Sequence, residues 1–277
     1  MRGLDMASDL AHDTRVTRVG PSRWACDLSA AWSFKNPSGG VLTTIALRAI
    51  RAELGDDALL PVSSTTIFCA MVPPGPLLID VAILRRGNAV TQARAALSHE
   101  GHELGLEVLA TFSRRREGPE LVDRTMPDVP RWDGARDGRP SFPIPFFEQV
   151  EQRIARGHEW WEEGWNAGPA RYARWFRYLV SQSGPDGALD PLALPPLADT
   201  MPPSVRQKLG PNAPFFDAPS LDLTVHFLAS IRSERLLVAS HASAARAGYA
   251  TASVEIWGED GVLGAVGTQT MILRKHS

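Results

Sequence analysis

The chain has 277 residues, 44% of them hydrophobic and 22% charged, which is the make-up of an ordinary globular protein and excludes disordered or fibrous chains. With 29 Lys and Arg against 31 Asp and Glu, for a net charge of −2, it lacks the overall positive field that a grip on DNA or RNA needs. At roughly 150 residues per domain, the length points to two domains or one doubled architecture.

The opening stretch MRGLDMASDLAHDTR has no apolar run of signal type. No segment reaches the roughly 18 apolar residues of a membrane span, so a cytoplasmic location is expected. Cys26 and Cys69 belong to no CxxC pair and have no His at metal-ligand spacing. Structural thiols in a reducing compartment are the reading that fits them.

Alternation first predicts a strand pair at residues 15–19 and 23–28, broken by Asn36-Pro37-Ser38-Gly39-Gly40. The next run, VLTTIALRAIRAELG, has apolar residues at helical spacing and closes on Gly55. Strands are then expected at 63–71, 77–85, 89–98 and 103–115, separated by the turn-forming PPGP, RRGN and HEGH. Residues 117–144 have little periodicity and read as a connector. After it come strand-like runs at 146–156 and 172–180 and a Leu/Ala-rich helix at 190–201, which Pro202-Pro203 is expected to stop. Four more strands are expected at 220–229, 235–243, 249–257 and 262–274.

The two halves therefore repeat the same order. Thr65-Thr66-Ile67-Phe68 matches Thr224-Val225-His226-Phe227, Leu104-Gly105 matches Leu263-Gly264, and Arg115 matches Arg274, all at a separation of 159 residues. A shared offset in separate segments indicates two copies of one unit, an apolar helix cradled by an antiparallel sheet.

The stretches SGGVLTTIALRA (38–49), LRRGNAVTQAR (84–94), DPLALPPLADTMPP (190–203), PSLDLTVHF (219–227) and DGVLGAVGTQTMILR (260–274) carry a resemblance over nearly the whole chain. It resembles the double-hotdog acyl-CoA thioesterases, and acyl-CoA thioesterase II in particular. The resemblance implies an α+β double hotdog, with an N-terminal hotdog at 1–116, a connector at 117–144 and a C-terminal hotdog at 145–277. It also implies hydrolysis of acyl thioesters, carried by coenzyme A or by a carrier protein, by an Asp, a Thr or Ser, and a Gln that hold the attacking water. On this chain those residues fall on Asp199, Ser220 and Gln269; the alcohol is Ser where the thioesterase II enzymes have Thr.

The residues themselves offer some independent support. An anionic Asp199 in the last turn of a helix faces carbonyl ends and is disfavoured there, which hints at function, although a solvent-facing Asp at a helix end is the ordinary alternative. Regular alternation aims Gln269 at the apolar side of the sheet with Leu263, Ala265, Met271 and Leu273. A buried amide needs partners. At the 159-residue offset Gln269 corresponds to Ala110 and Ser220 to Pro61, so a site in the second copy only is favoured over a purely architectural role. Ser220 alone could be a strand-entry hydroxyl.

For the oxyanion, backbone N–H groups at Ser38-Gly39-Gly40 are candidates, with a flexible helix entry as the alternative. Arg85 and Arg86 in LRRGN could meet coenzyme A phosphates or simply form a solvated turn. The segment with Trp160, Trp161, Trp165 and Trp175 among Arg171, Arg174 and Arg177 reads as packing rather than base stacking. No GxSxG elbow, HExxH site, Walker loop or dinucleotide GxGxxG is present, so no metal and no cofactor is expected. Two alternatives stand beside the thioesterase: a double-hotdog dehydratase, with Asp190 of DPLAL as its acid, and a non-catalytic acyl-binding protein. One chain already holds both copies, so a monomer or a homodimer of double hotdogs is expected.

Overall fold

The computed structural model describes residues 7–99 and 101–275; Met1–Met6 of the opening stretch, Glu100 of the HEGH turn, His276 and Ser277 lie outside the described residues. In chain order the first copy contains α1 (Leu10–Asp13), β1 (Thr17–Gly20), β2 (Arg23–Leu28), α2 (Gly39–Leu54), β3 (Leu60–Phe68), β4 (Gly75–Arg86), β5 (Val90–His99) and β6 (Leu104–Ser113). The second contains β7 (Arg136–Asp137), β8 (Val150–Arg156), β9 (Arg171–Tyr178), α3 (Pro195–Ala198), α4 (Pro202–Leu209), β10 (Phe216–Asp217), β11 (Asp222–Phe227), β12 (Leu236–Arg246), β13 (Tyr249–Gly258), β14 (Leu263–Ile272) and β15 (Arg274–Lys275). No helix is long and apolar enough to cross a membrane, among the described residues.

All but β10 and β15 join one antiparallel sheet of 13 strands, in the order β1-β2-β4-β5-β6-β3-β11-β14-β13-β12-β9-β8-β7. Read outward from the β3–β11 seam, the two arms have the same order. At the seam Thr65 lies opposite Thr224, and their hydroxyls are hydrogen-bonded at 3.1 Å across a separation of 159 residues. The two-fold relation seen as an offset in sequence thus passes between these threonines.

Each arm has the same bulge. The register slips between Leu97 and Ser98 in one arm and between Ile256 and Trp257 in the other, leaving Gly105 and Gly264 as the extra residues. A side chain at either would collide with Val72 or Ile231, at 2.3 Å in both cases. The slip reverses the alternation, so Leu263 faces the outer cluster with Trp257 and Leu237, while Ala265 and Met271 face the inner core. Leu263 therefore does not share a face with Gln269, contrary to the expectation from unbroken alternation.

Helix α2 is largely apolar because it is buried on nearly every side. Val41, Ile45, Leu47, Ala49 and Ile50 are fully buried, each large aliphatic contributing about 1.5–3 kcal/mol by leaving water. Ser38 caps its start, accepting from Val41 N, and Gly55 ends it in the left-handed conformation with φ 63°. Its polar residues tie it to the other copy: the Thr44 hydroxyl donates to Leu192 O at 2.8 Å, and Arg48 Nη2 lies 3.0 Å from Asp190 Oδ2.

The second copy departs from the expected helix at 190–201. A short 3-10 turn at Pro191–Ala193 leads to α3, which ends at Asp199, and α4 starts at Pro202. Pro202-Pro203 opens a helix instead of stopping one, because a proline in the first turn gives up no hydrogen bond. Pro145 likewise starts a 3-10 turn where a strand was expected. Trp132, after an irregular stretch, packs with Trp175, Leu237 and Trp257 on the outer face. Arg174 is buried in an ion pair with Glu159 and stacks on Phe147, as a packing role requires.

Candidate active site

Four segments meet where α2 crosses α3. At that crossing a side chain on Gly40 would lie 2.2 Å from Pro195 O, so only glycine lets the two backbones approach this closely. The contact brings the first turn of α2 against Asp199, the residue that caps α3. Gly40 N donates to Asp199 Oδ2 at 2.9 Å, and the neighbouring Gly39 N–H also favours the ionised carboxylate. The anion thus sits on the positive end of a 16-residue helix. That end outweighs the carbonyls of the four-residue α3 and removes the electrostatic objection that the sequence raised.

Ser220 is brought in by backbone stitching. It bridges to Met271, while Leu221 N donates to Thr270 O at 2.8 Å and Ile272 N to Pro219 O at 3.1 Å. Its hydroxyl donates to Asp199 Oδ1 at 2.8 Å. Gln269, on the inner face of β14 and fully buried, donates through Nε2 to Asp199 Oδ1 at 2.5 Å and to Ser220 Oγ at 2.6 Å. Its Oε1 is buried without a hydrogen-bond partner. Such an acceptor costs free energy unless a donor reaches it.

The three groups foreseen as a set are therefore in mutual contact. Burial raises the pKa of Asp199; the hydrogen bonds from Ser220, Gly40, Gln269 and Gly39 pull the other way without cancelling it. A carboxylate held this way is a stronger base than one in water.

Other foreseen residues fall elsewhere or act differently. The N–H of Gly40 serves the carboxylate, not an empty oxyanion hole. Arg85 is exposed in the β4–β5 hairpin opposite Gln92, five strands from Gln269 in the sheet, and does not join the cluster. Asp190, the acid of the dehydratase alternative, caps the 3-10 turn through Leu192 N and pairs with Arg48 and Arg51, a structural role. An open cavity of about 450 Å³, lined in part by Phe142, Phe147, Glu148 and Leu179, contains none of the three groups. Phe68 was not foreseen: a methyl on Gly39 would lie 2.7 Å from its Cζ and 3.1 Å from Asp199 Oδ2, so its ring flanks the carboxylate.

Two family models match the chain: the acyl-CoA thioesterase N-terminal domain over residues 28–114 and the acyl-CoA thioesterase C-terminal domain over residues 120–273. The chain belongs to the acyl-CoA thioesterase family. Its general activity is accordingly that of an acyl-CoA thioesterase. Among solved structures, a hot dog fold protein of unknown function from Alicyclobacillus acidocaldarius is 23% identical, with 97% of this chain and 98% of that one covered at a TM-score of 0.83. A candidate thioesterase II from Thermobifida fusca is 24% identical, covering 98% and 99% at 0.79. The acyl-CoA thioesterase II TesB2 from Mycobacterium marinum is 19% identical, covering 97% and 99% at 0.73. These likenesses give the double-hotdog fold. No curated protein matches this thioesterase.

Proposed function

We propose that this thioesterase hydrolyses acyl thioesters with a water molecule held by Asp199, Ser220 and Gln269. The observation that carries the reading is the orphan Gln269 Oε1 beside a desolvated carboxylate. A water between them donates one hydrogen to Asp199 and the other to Gln269 Oε1, which fixes its lone pair toward the substrate. Ser220, donating to Asp199 and accepting from Gln269, locks the carboxylate's rotamer.

In the chemical step the water oxygen bonds to the thioester carbonyl carbon and its proton passes to Asp199. The tetrahedral intermediate then collapses with cleavage of the C–S bond, and the thiolate takes up the proton. As Asp199 is neutralised, the negative charge moves to the former carbonyl oxygen. The N-terminal field of α2, which favours the carboxylate before the step, favours the charge on that oxygen after it. The acyl group arrives on coenzyme A or on a carrier protein.

The test is thiol release from acyl-CoAs of graded chain length by the natural protein, Asp199→Asn and Gln269→Ala. Release by the natural protein that collapses in both variants supports the mechanism. Undiminished release in both overturns it, and binding of acyl-CoA with no release by any of them points to an acyl-binding protein.

A further inference from the structure

We propose that Phe68 is the specificity-determining wall of this site, its ring limiting the bulk that a thioester can carry beside the reacting carbonyl and keeping water off one flank of Asp199. This inference rests on the reading of Asp199 as the base. Phe68 ends β3, and its backbone N–H donates to Leu221 O at 3.0 Å, so the ring is anchored to the segment that delivers Ser220. The half-buried ring and the carboxylate share the space above the Gly39 α-carbon, where a methyl would sit 2.7 Å from one and 3.1 Å from the other. A carbonyl within reach of a water on Asp199 meets this ring on the Gly39 side.

The duplication shows that the fold does not demand this closeness. At the offset of 159 residues, Gly39 corresponds to Ala198 and Phe68 to Phe227. Ala198 is fully buried and Phe227 packs on the same core, so the twin copy accommodates the methyl that Gly39 lacks.

The experiment compares the natural protein with Phe68→Ala and Phe68→Leu, the latter keeping apolar bulk in case the former fails to fold. Hydrolysis of isobutyryl-CoA and benzoyl-CoA is measured relative to butyryl-CoA across pH, and the Asp199 side-chain carboxyl is titrated by carbon NMR. The expected result is a rise of about tenfold in the ratio of branched or aryl to straight-chain rates in Phe68→Ala, smaller in Phe68→Leu. The acid limb of the rate and the Asp199 titration should move together to lower pH as water reaches the carboxylate. Unchanged ratios and titration in an active enzyme overturn the role of Phe68 and leave hydrolysis standing. If the natural protein releases no thiol, the hydrolase reading fails, and the titration still decides whether Phe68 shields Asp199: movement supports the wall and no movement removes it.

Discussion

Gly40 and Asp199 occupy the same position in the two copies, 159 residues apart, and they are bonded to each other, Gly40 N donating to Asp199 Oδ2 at 2.9 Å. The first copy has no side chain there, which lets two helices touch. The second carries a carboxylate, which the touching helix holds in place. The arrangement needs both.

Asp199→Asn should lower thiol release by about 100- to 10,000-fold, the usual range for removing a positioned base. The same variant loses the buried charge but turns its amide nitrogen toward the Gly40 N–H donor, so the two effects offset and its stability at neutral pH should lie within about 1–2 kcal/mol of the natural protein's. Denaturant melts of both proteins beside the rate assay check this.

The pH dependence follows from the raised pKa of Asp199. As the proposed base, Asp199 works when deprotonated, so activity should rise along an acid limb displaced upward from the ordinary carboxylate range, and the limb should be absent in Asp199→Asn. For stability the sign is opposite. With the folded pKa above the unfolded one, the contribution of this group is full below the unfolded pKa of about 3.9 and is lost as pH rises through the folded value. Melting curves across that interval, compared with those of Asp199→Asn, check it.

Replacing Ser220 by Ala removes the donor at 2.8 Å and should cost about tenfold in rate, with little effect on stability. Ser220→Thr restores the hydroxyl with a stiffer rotamer and should recover the rate. Steady-state kinetics on the two variants would separate the hydroxyl from the bulk of the side chain.

Gly40→Ala places a carbon 2.2 Å from Pro195 O, and backbone cannot yield as a flexible side chain can. A loss of about 1–3 kcal/mol with near-complete loss of activity is expected, because α2 must back away from Asp199. Calorimetry and the thiol assay report the two effects.

Asp190→Ala removes the partner of Arg48, which is buried, and of Arg51. It should cost about 3 kcal/mol of stability while the folded fraction keeps its turnover number, a result that a dehydratase acid at this position could not give. Unfolding and active-site-normalised kinetics settle it.

Composition, periodicity and the 159-residue offset were enough to read the duplication, the helix closing on Gly55, and most strand positions, since burial writes itself into alternation and spacing. The offset also marked Gln269 and Ser220 as belonging to one copy alone. The bulge at Gly264, which turns Leu263 outward, was hidden, because one extra residue reverses every later side chain without changing composition. So was the role of Pro202-Pro203, whose effect depends on whether the helix lies before or after it.

What the sequence by itself determined was the duplicated fold; its resemblance to a family named a candidate set of groups within that fold, an acid, an alcohol and an amide. Only the tertiary structure decided that the first turn of α2 holds Asp199, that Arg85 lies five strands away, and that Phe68 stands beside Asp199. The physical reason is that hydrogen-bond reach is about 3 Å, while the residues that satisfy it lie in opposite halves of the chain and are brought together only when two helices cross at Gly40.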